Sequence, residues 1–275
     1  MNFKLIYISP NGTTRRTSEV LRNAMEKDGH SVELLDIGSQ AYRKNFPAIL
    51  ENCKEADIVG FGSPAYHMDM LEPIRRLFMK MMTSSDTYCF KSFMYLNYSG
   101  ITSGKAFINT AHLFETMQIP VIGAMKIAAP HFHHKEIFPT ESTEVYIQRF
   151  YYEMQEKEFA PIPWKSLYKM VSPNKKRVNL LYPLAHLIGK KRELKINIRQ
   201  EKCIKCGMCE KECPVGAISL HDFACIDFAK CIHCYHCVTA CKGNAVEACI
   251  GKIDDLIKMN KRIIGIENPQ NHMYI

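Results

Sequence analysis

Eight cysteines toward the C-terminal end of the chain form two combs with identical spacing. The first comb consists of Cys203, Cys206, Cys209 and Cys213. The second consists of Cys231, Cys234, Cys237 and Cys241. Three thiolates at such short intervals can hold one face of an iron–sulfur cubane, while the fourth points toward a neighbouring cluster. The repeat therefore predicts two [4Fe-4S] clusters with crossed ligands, in which Cys241 completes the first set of three and Cys213 completes the second.

Zinc is the alternative ligand for these thiols, because four thiolates also suit a structural zinc ion. Zinc sites commonly pair two CxxC units at a longer separation, whereas here four cysteines fall within residues 203–213 and again within 231–241. The double comb resembles the bacterial two-cluster ferredoxin over residues 198–250. The small and apolar residues that follow each comb fit short segments covering the clusters.

A hydroxyl-rich loop follows the first predicted strand of the N-terminal region. Residues 4–9 are apolar, and the loop continues as SPNGTT. Apolar residues at helical spacing come next, and Gly29 ends the predicted helix. The free N–H groups of a first helical turn, together with Ser and Thr hydroxyls, form a site for a phosphate group.

Strand and helix patterns then alternate as far as about residue 160. The strand patterns are SVELLDI, DIVGFGS, YCFKSFMYLNYS and PVIGAMKIAA, with helix patterns EPIRRLFMKMM and GKAFINTAHLFETM between them. Five strands with intervening helices predict an α/β fold with a doubly wound parallel sheet, whose ligand lies at the carboxyl ends of the strands. A small α+β domain with the cysteine combs follows it.

Three loops at those carboxyl ends together resemble the loops of a flavodoxin, over residues 1–128. The resemblance implies that FMN binds, with its phosphate held by Ser9, Asn11, Gly12, Thr13 and Thr14. The ring would be flanked by Ser63, Pro64, Ala65, Tyr66, His67, Asn97, Tyr98, Ser99 and Gly100. Tyr66 and Tyr98 are the candidates for stacking on the flavin. The alternative is a sheet whose loops hold no cofactor and whose two tyrosines are ordinary half-buried aromatic residues.

Other functional patterns are incomplete. The run GITSGKA has three residues between its glycines and no Ser or Thr after Lys105, so it does not match a Walker loop. No GxGxxG follows the first strand. The histidines at 131, 133 and 134 are expected to be solvated rather than metal ligands. Cys53 and Cys89 are expected to be packing thiols.

Composition and charge place limits on the class of protein. A chain of 275 residues with 47% hydrophobic residues can form a core and a second small module. Its start shows no export signal, and no run reaches the roughly 18 apolar residues of a membrane span. Eight of the 12 cysteines lie in the combs. We therefore expect a soluble cytoplasmic protein whose thiols are reduced.

The excess positive charge is concentrated between the two cofactor regions. Residues 164–202 contain 11 Lys or Arg and two Glu, out of 36 basic and 28 acidic residues in the chain. The predicted layout is a flavodoxin-like domain at 1–160, a basic connector at 161–197, a ferredoxin domain at 198–250 and a tail at 251–275. The apolar segment 178–188 is expected to pack the domains together, with contact to anionic lipid or an acidic partner as the alternative.

The order of domains is similar to that of flavodoxin–ferredoxin fusion proteins of anaerobic bacteria and archaea. The resemblance implies an electron-transfer protein that relays electrons between FMN, two [4Fe-4S] clusters and redox protein partners. Two alternatives remain: a flavin-dependent reductase of a small organic substrate fed by the clusters, and a ferredoxin attached to a flavin-less docking domain. No acid–base pair stands out in the loops, which favours the relay. No nucleic-acid partner is expected.

Overall fold

The fold is described from a computed structural model over residues 1–42, 45–99, 102–134, 136–171, 195–249, 255, 257–258 and 270–275. Gly100 and the apolar segment 178–188 lie outside these residues, as do most of the connector and most of the tail. Within the described part of the chain, no helix has both the length and the apolar character needed to cross a membrane.

A parallel sheet forms the centre of the N-terminal region. Its strands are β1 (Asn2–Tyr7), β2 (Ser31–Asp36), β3 (Ile58–Tyr66), β5 (Lys91–Tyr98) and β6 (Val121–Ala128). They are ordered β2-β1-β3-β5-β6, and every neighbouring pair is parallel. This is the strand order of flavodoxin-like doubly wound sheets. The predicted fold class is therefore confirmed.

Helices cover both faces of this sheet. On one face α1 (Thr13–Lys27) and α5 (Glu141–Glu156) pack on a core that includes Phe3, Phe93 and Tyr95. On the other face lie α2 (Phe46–Lys54), α3 (Glu72–Thr83), α4 (Ala106–Thr116) and α6 (Trp164–Val171). Each helix buries one apolar stripe against strands that are apolar on both sides, which is why the sheet is buried twice.

Two short strands extend the sheet at its ends. β4 (Asp69–Met70) folds back antiparallel on the end of β3, through a turn in which His67 and Met68 both have positive φ, 48° and 66°. β11 (His272–Tyr274) pairs antiparallel with β6 at the outer edge. Three residues of the predicted tail thus belong to the first sheet. An isolated three-residue strand has too short a pattern to be recognised in the sequence.

The cysteine combs lie in a small module, residues 195–249, built from two similar halves. Strand β7 (Ile196–Ile198) pairs with β10 (Val246–Ala248), and β8 (Ile218–Leu220) pairs with β9 (Ala224–Ile226). Two short helices, α7 (Met208–Lys211) and α8 (His236–Ala240), each follow the second cysteine of a comb. The module has its own small apolar core, in which Cys209, Cys213 and Cys237 take part.

Candidate functional site

Each set of four cysteines that the crossed scheme groups together surrounds one cavity. The first cavity is lined by Cys203, Cys206, Cys209 and Cys241. The second is lined by Cys213, Cys231, Cys234 and Cys237. Each cavity has a volume of about 20 Å³. Every other residue against the second cavity is apolar or aromatic, and the first adds one lysine, Lys205, to an otherwise apolar lining.

The grouping of the thiols bears on the choice between iron–sulfur clusters and zinc. A tetrahedral zinc site needs four thiolates that converge on one point, because each Zn–S distance is only about 2.3 Å. Among the described residues, no three His, Cys, Asp or Glu side chains are grouped so that they could hold a single metal ion. The described thiols are therefore not arranged as a single zinc ion requires.

Backbone amides point at the sulfur atoms in the same way in both combs. The N–H of Ala217 donates to Sγ of Cys213, and the N–H of Ala245 donates to Sγ of Cys241, both at 3.2 Å. Burial raises the pKa of Cys234, and raises that of Cys237 to about 12. These thiols stay protonated near neutral pH unless a metal binds, so the proton must leave when a metal–sulfur bond forms.

The loop before α1 has the geometry of an anion site. Gly12 has φ of +81° and precedes the helix, where a side chain would be strained. The backbone N–H of Arg15 donates to Oγ of Ser9 at 2.9 Å, and Oγ1 of Thr13 donates to Oδ1 of Asn11 at 3.0 Å. Arg15 and Arg16 are exposed beside the loop. Positive charge and the N-terminus of a helix thus occur together.

Thr14, in the first turn of α1, has a buried hydroxyl without a partner in the described part of the chain. Its side chain is fully buried, and its Oγ1 atom makes no hydrogen bond among the described residues. A buried hydroxyl without a partner costs about 1–3 kcal/mol, so native structures rarely leave one unless a water or ligand completes it. The phosphate of FMN is a group of suitable charge and acceptor chemistry for this position.

The loops predicted to flank the flavin ring lie at the same edge of the sheet, in different environments. Asn97 is buried, and its Nδ2 donates to Thr17 Oγ1 at 3.0 Å, which joins the end of β5 to α1. Ser63 accepts from the N–H of Leu71 at 2.9 Å and so holds the β3–β4 hairpin. The hydroxyl of Tyr98 donates to the carbonyl of Gln270 at 2.7 Å. Pro64 and Ala65 lie near the end of β3, and His67 and Ser99 lie in the segments that follow β3 and β5.

Tyr66 connects this edge of the sheet to the second cavity. Its hydroxyl donates to the carbonyl oxygen of Cys234 at 3.2 Å. Burial raises the pKa of Tyr66, and so do the nearby Cys234 and Tyr235. The hydroxyl therefore remains a donor throughout the physiological pH range. The partner of Tyr66 is 168 positions away in sequence, and the sequence analysis did not foresee the contact.

Further contacts seat the module on the carboxyl edge of the sheet. The ring of Phe132, in the loop after β6, stacks on Tyr235 with centroids 4.6 Å apart and planes at 14°. Gly38, after β2, is so close to Pro214 that a Cβ at this position would be 3.3 Å from the Cβ of the proline. The module therefore contacts the ends of β2, β3 and β6, and its second comb faces the candidate flavin loops.

Tyr235 is a functional position that the sequence analysis missed, although a signal was present. The equivalent position in the first comb is Gly207, and both residues have positive φ, 59° and 70°. A side chain in this conformation costs about 1–2 kcal/mol, so a tyrosine where the repeat has glycine needs a compensating contact. The stack on Phe132 provides it.

The histidine cluster lies beside this interface rather than in either cavity. Nδ1 of His131 and Nδ1 of His133 are 2.6 Å apart, and Nδ1 of His134 is 3.4 Å from Oε1 of Glu136. Cys53, in α2, is buried in the core, and burial raises its pKa to about 12. Cys89 is exposed, so the expectation that it is a packing thiol is wrong.

Comparison with known proteins identifies the module's chemistry. Residues 196–219 match the family of 4Fe-4S binding domains. The chain contains a 4Fe-4S binding domain. Over 46 residues it is 52% identical to a component of the ion-translocating oxidoreductase complex of Methanosarcina acetivorans, an alignment covering 16% of this chain and 17% of that protein. The chain thus spans about a sixth of the length of that relative.

The N-terminal region is similar in structure to flavodoxins and to larger flavoproteins. A flavodoxin from the domain Archaea has a TM-score of 0.45 and 21% identity, covering 57% of this chain and 98% of its own. The rubredoxin oxygen:oxidoreductase of Desulfovibrio gigas has a TM-score of 0.45 and 14% identity, covering 62% of this chain and 37% of its own. Because these scores are below 0.5, the fold assignment rests on the strand order and register.

Proposed function

We propose that this protein transfers electrons between FMN in its N-terminal domain, two [4Fe-4S] clusters in its C-terminal module, and redox protein partners. The observation that carries the proposal is the seating of the second four-cysteine cavity on the carboxyl edge of the sheet, through the Tyr66–Cys234 hydrogen bond. A relay needs its redox centres close together and shielded from water, and a module held against the sheet in this way favours both conditions.

The donor sets suit the proposed groups. Four cysteines and a mostly apolar lining at each cavity fit a cubane, with the amides of Ala217 and Ala245 donating to ligand sulfur atoms. The buried hydroxyl of Thr14 and the amides before α1 fit a phosphate. When bound, FMN exchanges electrons singly or in pairs, and each cluster carries one electron at a time.

Contacts between the N-terminal domain and the module support one order of the redox sites along the relay. Tyr66 holds the backbone of the second comb against the end of β3, and Phe132 holds it against the loop after β6. The cavity with Cys234 is therefore the inner one, next to the flavin loops. The cavity with Cys206 is the outer one, because this thiol is exposed. The reduced thiols that both sites need fit a reducing compartment such as the cytoplasm.

Cofactor analysis tests the proposal. Protein purified without oxygen is expected to contain about eight irons per chain, as two cubanes, and to release FMN on denaturation. Cys241→Ser should lose iron from the outer cavity. Cys225→Ser, which changes an exposed thiol on β9 that is not among the residues lining either cavity, should keep the full iron content. A colourless protein containing zinc, or one that releases no flavin, would refute the relay.

A further inference from the structure

We propose that the surface around the outer cavity is the docking site for an electron-carrier protein whose own redox centre is surrounded by carboxylates. We call this surface the outer rim, and define it by Lys202, Ile204, Lys205, Cys206 and Lys242. The proposal rests on the proposed function and adds to it the place and the chemistry of the partner.

The two cavities differ in what covers them. The inner cavity is lined by Cys234 and Tyr235, both buried, and Tyr66 and Phe132 of the N-terminal domain contact them. At the outer cavity Cys206 is exposed, and the side chain next to it in the rim, Ile204, is 63% exposed. Electrons cross between proteins where a centre lies near the surface. The outer cavity is therefore the end of the relay that a partner protein can approach.

The outer rim is one continuous surface, although its residues come from both combs. Gly243 lies directly against the segment before Cys206, because a Cβ at Gly243 would be 2.8 Å from the carbonyl oxygen of Lys202 and 3.4 Å from Cγ1 of Ile204. Ile204, Lys205, Cys206 and Cys241 also line the same cavity. Lys242 is thus placed beside the exposed isoleucine, and an apolar centre is bordered by cations.

The charges in and beside the outer rim determine the sign of the partner. Arg199 and Lys202 share one carboxylate, that of Glu247, at 2.8 and 3.1 Å. Basic side chains outnumber acidic ones here, and all are at or near the surface: Arg199, Lys202, Lys205 and Lys242 against Glu201, Glu210 and Glu247. A basic border around an apolar contact attracts an acidic surface and speeds its association, and salt weakens that attraction.

The experiment compares two double charge reversals in the complete, cofactor-loaded protein. One is Lys202→Glu with Lys242→Glu, in the outer rim. The matched control is Lys80→Glu with Lys165→Glu, which makes the same change in net charge on exposed residues of α3 and α6. The probe is an acidic bacterial ferredoxin. Its association rate with each protein is measured by surface plasmon resonance at several salt concentrations, and the reduction of each protein by a small neutral mediator is measured in parallel.

We expect the outer-rim variant to associate with the probe about tenfold more slowly at low salt, and the difference to vanish at high salt. The association rate of the control variant should stay within about twofold of that of the unmodified protein. Reduction by the neutral mediator should be unchanged in both variants. The docking proposal is wrong if the outer-rim variant associates with the probe as fast as the unmodified protein does. It is also wrong if the association rate of the control variant falls by as much as that of the outer-rim variant. Either result leaves iron and flavin contents unaffected, so failure of the docking site and failure of the relay can be told apart.

Discussion

Thr14 shows how a single residue can indicate a ligand. Its neighbours on the same helix, Thr17 and Ser18, have their hydroxyls bonded to backbone carbonyls one turn earlier. Thr14 is equally buried, and its hydroxyl has no partner among the described residues. A ligand that accepts a hydrogen bond from this hydroxyl would remove its difference from the similar residues one turn along the helix.

The first prediction is that Thr14→Val weakens FMN binding and stabilises the flavin-free protein against unfolding. Valine has the same shape without the hydroxyl, so the free energy of unfolding of the flavin-free form should rise by about 1 kcal/mol. The dissociation constant for FMN should rise at least about tenfold, because a hydrogen bond to a charged group contributes about 1.5–3 kcal/mol. Flavin fluorescence titration and urea unfolding measure the two effects.

Thr110→Val is the control for this prediction. Thr110 is also buried, but its hydroxyl donates to the carbonyl of Ala106 at 2.8 Å, far in sequence from the loop before α1. This substitution should lower stability and leave FMN affinity unchanged. If Thr14→Val destabilises the flavin-free protein as Thr110→Val does, the hydroxyl is satisfied without a ligand.

The sequence allowed good predictions of some residues and none of others, for a physical reason. Comb spacing restricts which thiols can reach one cluster, so the cysteines that share each cavity could be grouped in advance. The position of Tyr66 at the carboxyl end of the third strand could also be anticipated, although the residue belongs to β3 and not to the loop after it. Its bond to Cys234 could not, because the contact depends on how two separately folded units meet, and local pattern contains no such information.

At the scale of elements, regular strands were predictable and irregular ones were not. The five parallel strands are long apolar runs bounded by turn residues, and all five were expected, with ends that differ from the observed ones by up to three residues. β4 and β11 have two and three residues, too few to show a period. The turn between β3 and β4 places His67 and Met68 in a conformation that usually selects Asn or Gly, so no turn signal marks it.

Phe132, in the loop after β6, contacts Tyr235, just before α8. This contact depends on a difference between the two combs, because the first comb has Gly207 where the second has Tyr235. Phe132→Ala removes the stack on Tyr235 without changing the comb itself. An aromatic pair contributes about 0.5–1.5 kcal/mol beyond its buried area, so amides of residues 232–236 should exchange up to about tenfold faster. Hydrogen exchange read by mass spectrometry measures this, and the iron content should be unchanged.

Phe228→Ala is the matched control for the test of the Phe132–Tyr235 contact. Phe228 belongs to the module, is 55% exposed and stacks on His233 with centroids 6.2 Å apart. Its removal should leave the exchange of the Tyr66 region unchanged, whereas Phe132→Ala should accelerate it. Equal effects of the two substitutions would mean that Phe132 supports only its own loop and does not seat the module.

At the scale of the whole molecule, the two regions differ in what holds them together. The sheet domain has an extensive apolar core on each face, with large side chains such as Phe61 and Phe150 fully buried. The module's core is small, and several of its buried residues are cysteines that line the cavities. Small domains with little core depend on metal ligation for their stability.

Removal of iron should therefore unfold the C-terminal module and leave the sheet domain folded. Treating the protein with an iron chelator under oxidising conditions is expected to release the clusters and to abolish hydrogen-exchange protection in residues 195–249. The central strands β1 and β3 should retain their protection, because their burial does not involve the combs.

At the interface, only the amides near Gly38, Tyr66 and Phe132 should exchange faster, since they lose the contacts with Pro214, Cys234 and Tyr235. If β1 and β3 lose protection together with the module, the chain is a single cooperative unit, and cluster ligation stabilises the sheet domain as well.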